Sequence, residues 1–192
     1  MKKIVLASAS PRRAELLKQI GLKFVVDPSN HEETLGNDLP PERLVMVFSL
    51  KKARAVARRH RNAVVIAADT IGVLNGKTIG KPRSAADARR ILQKLSGRTH
   101  SVTTGLTVID TDSGRIATRA VETKVHFKKL TSGEINAYVK TGEPMDKAGA
   151  YGIQERGAIF VDRIEGDYFN VIGLPLCALA ETLKKFGVEV MG

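Results

Sequence analysis

The sequence is short of three things, and each shortage excludes a class of protein. One cysteine, Cys177, stands among 192 residues, which excludes an intramolecular disulfide and a cysteine-cluster metal site and fits a reducing compartment. Tryptophan is absent and aromatics make up 5% of the chain, so few rings are present to stack on exposed bases. The longest apolar run, from Ala63 to Ala68, is far short of a membrane span. The apolar start Ile4-Val5-Leu6-Ala7 runs at once into Ser-Ala-Ser-Pro-Arg-Arg, so it is not a signal peptide. The four histidines, His31, His60, His100 and His126, have no metal-ligand spacing. A soluble, cytoplasmic protein without a membrane partner is expected.

What is present is ordinary globular usage, with 43% hydrophobic and 27% charged residues, 17 Gly and 7 Pro. That length predicts one domain over residues 1–192, with room for two lobes around a central cleft. Lys and Arg number 31 against 20 Asp and Glu, a net charge of +11. The excess favours an anionic partner, whether nucleotide, nucleic acid or acidic surface, without choosing among them.

Buried-type strands are expected at 4–7 and 63–68, the second ending in Asp69-Thr70. Helices are expected from Pro11 to Gly21, from Pro40 or Pro41 to about His60, and from Ser84 to Gly97. A capping box, Thr131 with Glu134, opens another, and a last one covers about 174–186. Asn75-Gly76 and Asp112-Ser113-Gly114 read as hairpin turns, and 158–164 as a strand before a turn at 165–167. Gly72-Val73-Leu74-Asn75-Gly76-Lys77-Thr78 mimics a phosphate-binding P-loop but has three residues between its glycines where four are required. Crossover and hairpin connections together predict an α/β fold, a mixed twisted sheet flanked by helices.

The first strand delivers Ser8 and Ser10 to a helix N-terminus, with Ser10 at the N-cap and Arg12 and Arg13 in the first turn. Free N–H groups and the dipole favour an anion there, and guanidiniums fork onto phosphate oxygens. The alternative is that Ser10 only caps and both arginines face water. Asp69, read as a strand-end carboxylate, lies where ligands bind in open α/β sheets, unless it is a simple turn cap. Glu32 and Glu33 are either solvated or share a hard cation with a triphosphate. Lys51 and Lys52 have similar apolar neighbours at helical spacing, so either could turn inward. The glycine-rich stretch 142–154 suits close approach to a ligand, and its Gln154 has the donor and acceptor to read a base edge.

Together these residues resemble the Maf-like nucleotide pyrophosphatase family. The resemblance is carried by Leu6-Ala7-Ser8-Ala9-Ser10-Pro11-Arg12-Arg13, Lys52-Ala53, Ala67-Ala68-Asp69-Thr70 and Gly80-Lys81-Pro82. It continues through Leu95-Ser96-Gly97, Asp146-Lys147-Ala148-Gly149-Ala150-Tyr151-Gly152-Ile153-Gln154 and Gly173-Leu174-Pro175. It implies an elongated two-lobed α/β fold related to the inosine triphosphate pyrophosphatases. It also implies metal-dependent hydrolysis of a nucleoside triphosphate to monophosphate and pyrophosphate, in a house-cleaning role. Arg12, Thr70 and Gln154 match the residues of the branch selective for dTTP and UTP. By the same resemblance Ser8, Arg12, Arg13, Lys52 and Lys81 bind phosphates, and Thr70 and Gln154 recognise the base. Glu33 and Asp69 are expected to hold a divalent cation, Mg²⁺, Mn²⁺ or similar, with catalytic Asp69 the better candidate to orient or deprotonate the attacking water. A homodimer is an open assembly, and no stable nucleic-acid complex is expected. One segment departs: the family's Asp-x-Asp-Glu is here Asn30-His31-Glu32-Glu33, which keeps only the last carboxylate.

Overall fold

The computed structural model describes residues 2–29 and 39–191. In chain order the elements are β1 (Lys3–Leu6), α1 (Pro11–Gln19), β2 (Val25–Val26), α2 (Pro41–Ala57), β3 (Ala63–Leu74) and β4 (Lys77–Ile79). Then come α3 (Ala85–Leu95), β5 (Thr99–Asp110), β6 (Ile116–Phe127), α4 (Ser132–Lys140), β7 (Val161–Glu165), α5 (Tyr168–Ile172) and α6 (Leu176–Lys185). Short 3₁₀ turns at Glu143–Asp146, Ala148–Ala150 and Arg156–Phe160 fill the stretch between α4 and β7. The strands form one sheet in the order β2-β1-β3-β5-β6-β7, with β4 also pairing with β3. β1 runs parallel to β2 and β3, and the remaining pairs are antiparallel. The mixed sheet flanked by helices is therefore what the sequence predicts.

Two-residue alternation along β3 divides the core. Ala63, Val65 and Ala67 pack with Val5, Ala53, Val56 and Ile109 under α2. Val64, Ile66 and Ala68 face the other way, onto Leu16 and Leu17 of α1 and Leu179 and Leu183 of α6. Farther along the same face a second cluster forms from Leu92 and Leu95 of α3, Val102, Phe127, and Tyr138 and Val139 of α4. Two apolar clusters thus share one face of the long strands, and the polar pair Thr70 and Thr104 lies between them, their hydroxyls 2.9 Å apart. That interruption is the floor of the cleft.

Three expected boundaries are corrected. β3 does not stop at Asp69 but continues to Leu74, because β5 pairs with it from Val64 to Val73. Residues 156–160 form a 3₁₀ turn and only Val161–Glu165 a strand, while the turn at 165–167 leads into the short helix α5, capped by the Asp167 carboxylate. α6 starts at Leu176, after Pro175. The Asn75-Gly76 hairpin, both residues at positive φ, and the Thr131–Glu134 capping box form as expected.

His100, on β5, is 3% exposed and its Nε2 lies 2.9 Å from the Tyr151 hydroxyl. Phe127 meets its ring edge-on at 5.0 Å. Burial, with the nearby His126 charge, lowers its pKa from 6.5 to about 4. The unfolded chain therefore binds a proton that the folded chain refuses between those values. Stability is full above pH 6.5 and falls on acidification towards pH 4, by up to about 3 kcal/mol. The urea midpoint should drop between pH 7 and pH 4.5, and H100F should lose that part of the slope. An unchanged slope in H100F assigns the pH dependence to other groups.

Candidate active site

Both edges of β3 must be considered to see why the site forms where it does. β5 covers one edge. On the other, β1 covers Ala63–Ile66 and β4 covers Gly72–Leu74. Between them, at residues 67–71, no described strand pairs with that edge. Asp69 and Thr70 sit at this gap, and alternation turns them to opposite faces, Asp69 towards α2 and Thr70 into the cleft. The sequence reading takes Asp69 as a strand-end carboxylate; the structure places Asp69 and Thr70 inside β3, on either side of an opening in the sheet.

The loop from β1 to α1 enters the same gap. The Ser8 hydroxyl accepts the Ser10 N–H at 3.2 Å, whereas the Ser10 side chain, expected to cap α1, makes no capping hydrogen bond. Arg13 is fixed by three separate segments: its Nη1 donates to Ser8 Oγ (3.1 Å), its Nη2 to Thr70 Oγ1 (3.1 Å) and its Nε to the Gly173 carbonyl (2.8 Å). Gly173 has φ +121°, and a Cβ there would stand 3.3 Å from Thr70 Oγ1 and 3.5 Å from Arg13 Nε. A glycine is needed at that approach. Thr70 is therefore first a support for Arg13. Arg12 turns the other way, to Asp146 at 3.0 Å.

On the α2 side Lys52 pairs with Asp69, whose residue is 4% exposed. Lys52, rather than Lys51, is thus the lysine that turns inward. Lys147, not singled out from the sequence, is 7% exposed and donates to Asp146 (2.8 Å) and the Glu143 carbonyl (2.9 Å), with Glu155 at 3.3 Å. Burial alone would raise the Asp146 carboxyl, but Lys147 and Arg12 hold it below the usual range. The signal for Lys147 is its position one residue after Asp146 in a small-residue segment, where a long cation must fold back. Its alkyl chain lies where a Cβ on Gly152 would stand, 2.6 Å from Cε.

Two adjoining cavities occupy the opening. One of about 150 Å³ is lined by Arg12, Arg13, Lys81, Lys147, Thr70 and Gln154, with Val102, Ile153 and Val171 supplying apolar wall. The other, about 360 Å³, is lined by Ser8, Arg12, Arg13, Lys52 and Lys81. Among the described residues Asp146 is the only acid on either wall. Asp69 lines neither; it adjoins the second through Lys52. Seven of the expected residues, Ser8, Arg12, Arg13, Lys52, Thr70, Lys81 and Gln154, are thus gathered at one opening. Glu33, with Asn30 and Glu32, lies outside the described residues. Among the described residues no group of three or more His, Cys, Asp or Glu could hold a metal. A cation carried by a polyphosphate needs only one or two carboxylates, and Asp69 fits that smaller set.

A cation-lined opening in an α/β sheet, with one buried carboxylate behind it and an apolar-walled end pocket, defines a binder of polyphosphorylated small molecules. The Maf-like protein family model matches residues 3–186, and the chain belongs to that family. It is 53% identical over 192 residues to the dTTP/UTP pyrophosphatase of Moorella thermoacetica, covering 100% of this chain and 99% of that one. It is 49% identical over 191 residues to the dTTP/UTP pyrophosphatase of Methanosarcina barkeri, covering 99% and 97%. Among solved structures, the Staphylococcus aureus Ham1 protein superposes with a TM-score of 0.54 at 17% identity, over 96% of this chain and 100% of that one, a likeness of fold.

Proposed function

We propose that this protein hydrolyses dTTP and UTP to the monophosphate and pyrophosphate. The observation that carries the reading is the set of four cations, Arg12, Arg13, Lys52 and Lys81, gathered on one cavity wall beside the buried Asp69. Relatives bearing that activity in their names, similar over the whole chain, support it.

Water attacks the α-phosphorus, the bond to the α,β-bridging oxygen breaks, and pyrophosphate leaves with the bond's electron pair. Asp69 orients the water and accepts its proton. Lys52 holds the Asp69 carboxylate beside the phosphates and offsets charge there. Arg13, prealigned by Ser8, Thr70 and Gly173, meets the phosphate oxygens without reorganising, which favours the transition state. Lys81 neutralises charge growing on the leaving group. Glu33 and Asp69 would hold a divalent cation, which would supply further charge neutralisation on the phosphates. Gln154 reads the pyrimidine's imide edge, and a pocket of fixed donors and acceptors rejects a base that leaves them unpaired. The reaction belongs in the cytoplasm, where its substrates are made; among the described residues no helix is long and apolar enough to cross a membrane.

Purified protein with Mg²⁺ or Mn²⁺ and a panel of eight ribo- and deoxynucleoside triphosphates tests this. Monophosphate and pyrophosphate should form, fastest from dTTP and UTP, and Q154E should narrow the preference for those two. Release of orthophosphate, or equal rates on all bases, contradicts the reading.

A further inference from the structure

A third concavity, of about 730 Å³, lies between the β3–β4 hairpin and α3, and of its lining the proposed reaction uses Lys81 alone. Its lining includes six cations, Lys77, Lys81, Arg83, Arg90, Lys94 and Arg98, and one acid, Asp87. Asp87 is already engaged: its carboxylate pairs with Arg90 at 2.6 Å and accepts the Arg83 N–H at 3.0 Å, which holds it well below the usual carboxylate range. The other five cations have no acidic side chain within ion-pair distance among the described residues. Like charges held along one concave wall repel, and a concave wall also focuses their field on whatever enters.

We propose that this groove is a second anion site, for a linear inorganic oligophosphate. Three observations select that class. The cations line both sides of the groove, Lys77 from β4 and Lys94 from α3, so an extended anion can be gripped along its length. Among the described residues no aromatic ring lines it, and its apolar part is Leu74, Ile79 and Ile91, so bases have no stacking platform there. Lys81 lines this groove and both cavities of the catalytic opening, so the two sites adjoin. The Gly149 N–H also donates to the Gly80 carbonyl at 3.2 Å, tying the segment before Lys81 to the catalytic cleft wall. The shortest ligand of this class, pyrophosphate, is what the proposed reaction releases, and in that one respect the inference rests on that proposal.

Calorimetric titration of the full chain with inorganic tripolyphosphate, without metal, tests it independently of turnover. Two sites should be filled. In R13A the catalytic site should weaken and the groove site persist. In K94Q/R98Q the groove site should weaken about tenfold or more, as expected for two lost charge-assisted contacts. That variant's melting temperature, and its rate of dTTP hydrolysis at low product, should match wild type. A single site, or groove binding unaffected by K94Q/R98Q, overturns the inference. So does preference for a single-stranded oligonucleotide over tripolyphosphate at equal phosphate concentration. Two-site binding in a protein inactive on every triphosphate would refute the proposed reaction and leave the groove intact; active protein with one site would do the reverse.

Discussion

D69N should lower kcat by ~10²–10³-fold, the loss expected when the group that aligns charge in the transition state is removed. The structure adds a second consequence. Asp69 is buried against Lys52, whose side chain is 16% exposed, so D69N also removes a counter-charge from a poorly solvated lysine. Breaking such a pair costs roughly 3 kcal/mol, towards the low end because asparagine keeps an acceptor oxygen. In a chain of this size that lowers Tm by roughly 6–12 °C. Adding K52Q to D69N should restore most of the lost Tm and none of the activity. Thermal melts and steady-state kinetics on the single and double variants separate the two roles. If D69N turns over at a normal rate, Asp69 has no part in catalysis.

G105A should be the most destabilising single methyl in the protein's centre. Gly105 pairs with Asp69 across β3 and β5 and faces α2, where an added Cβ would stand 2.2 Å from the Val45 carbonyl oxygen and 2.8 Å from the Met46 N. Those are backbone atoms, so no rotamer change relieves the clash, and α2 must retreat by roughly 1 Å to reach ordinary contact. Overpacking of this kind costs about 3 kcal/mol, the upper part of the usual range. The Ser49–Thr107 hydroxyl contact, 2.9 Å, lies on the same α2–β5 seam and strains with it. Because α2 also carries Lys52, the retreat should loosen the Lys52–Asp69 pair and reduce kcat in the fraction that remains folded. Urea denaturation and kcat on the same preparation check both effects, and wild-type stability in G105A would contradict this packing.

Local chemistry was legible wherever a few neighbouring residues decide the outcome. The Asn75-Gly76 turn needs two positive φ angles, and the Thr131–Glu134 box satisfies its own donors. The course of β3 was not legible, because an aspartate inside a strand is disfavoured until a distant lysine and a full antiparallel partner are present. For the same reason alternation could not be applied across Asp69 and Thr70, and the opening in the sheet stayed hidden. Ser8 and Ser10 are alike in sequence; only the fold gives Ser8 to Arg13. β2 and α5, of 2 and 5 residues, are too short for periodicity to register. The family resemblance named seven residues that the fold brings to one opening, but gave no role to Lys147, nor the support that Thr70 and Gly173 lend to Arg13.

The account depends on one triphosphate lying across the uncovered edge of β3, with its phosphates near Asp69 and its base on the Thr70 face. A crystal structure with the α,β-imido analogue of dTTP, which cannot be cleaved at the attacked bond, tests that placement directly. The account predicts phosphate oxygens in contact with Ser8, Arg13 and Lys81, the α-phosphorus nearest to Asp69, and thymine beside Gln154. Phosphates bound away from this opening, or a β- or γ-phosphorus nearest to Asp69, would contradict it.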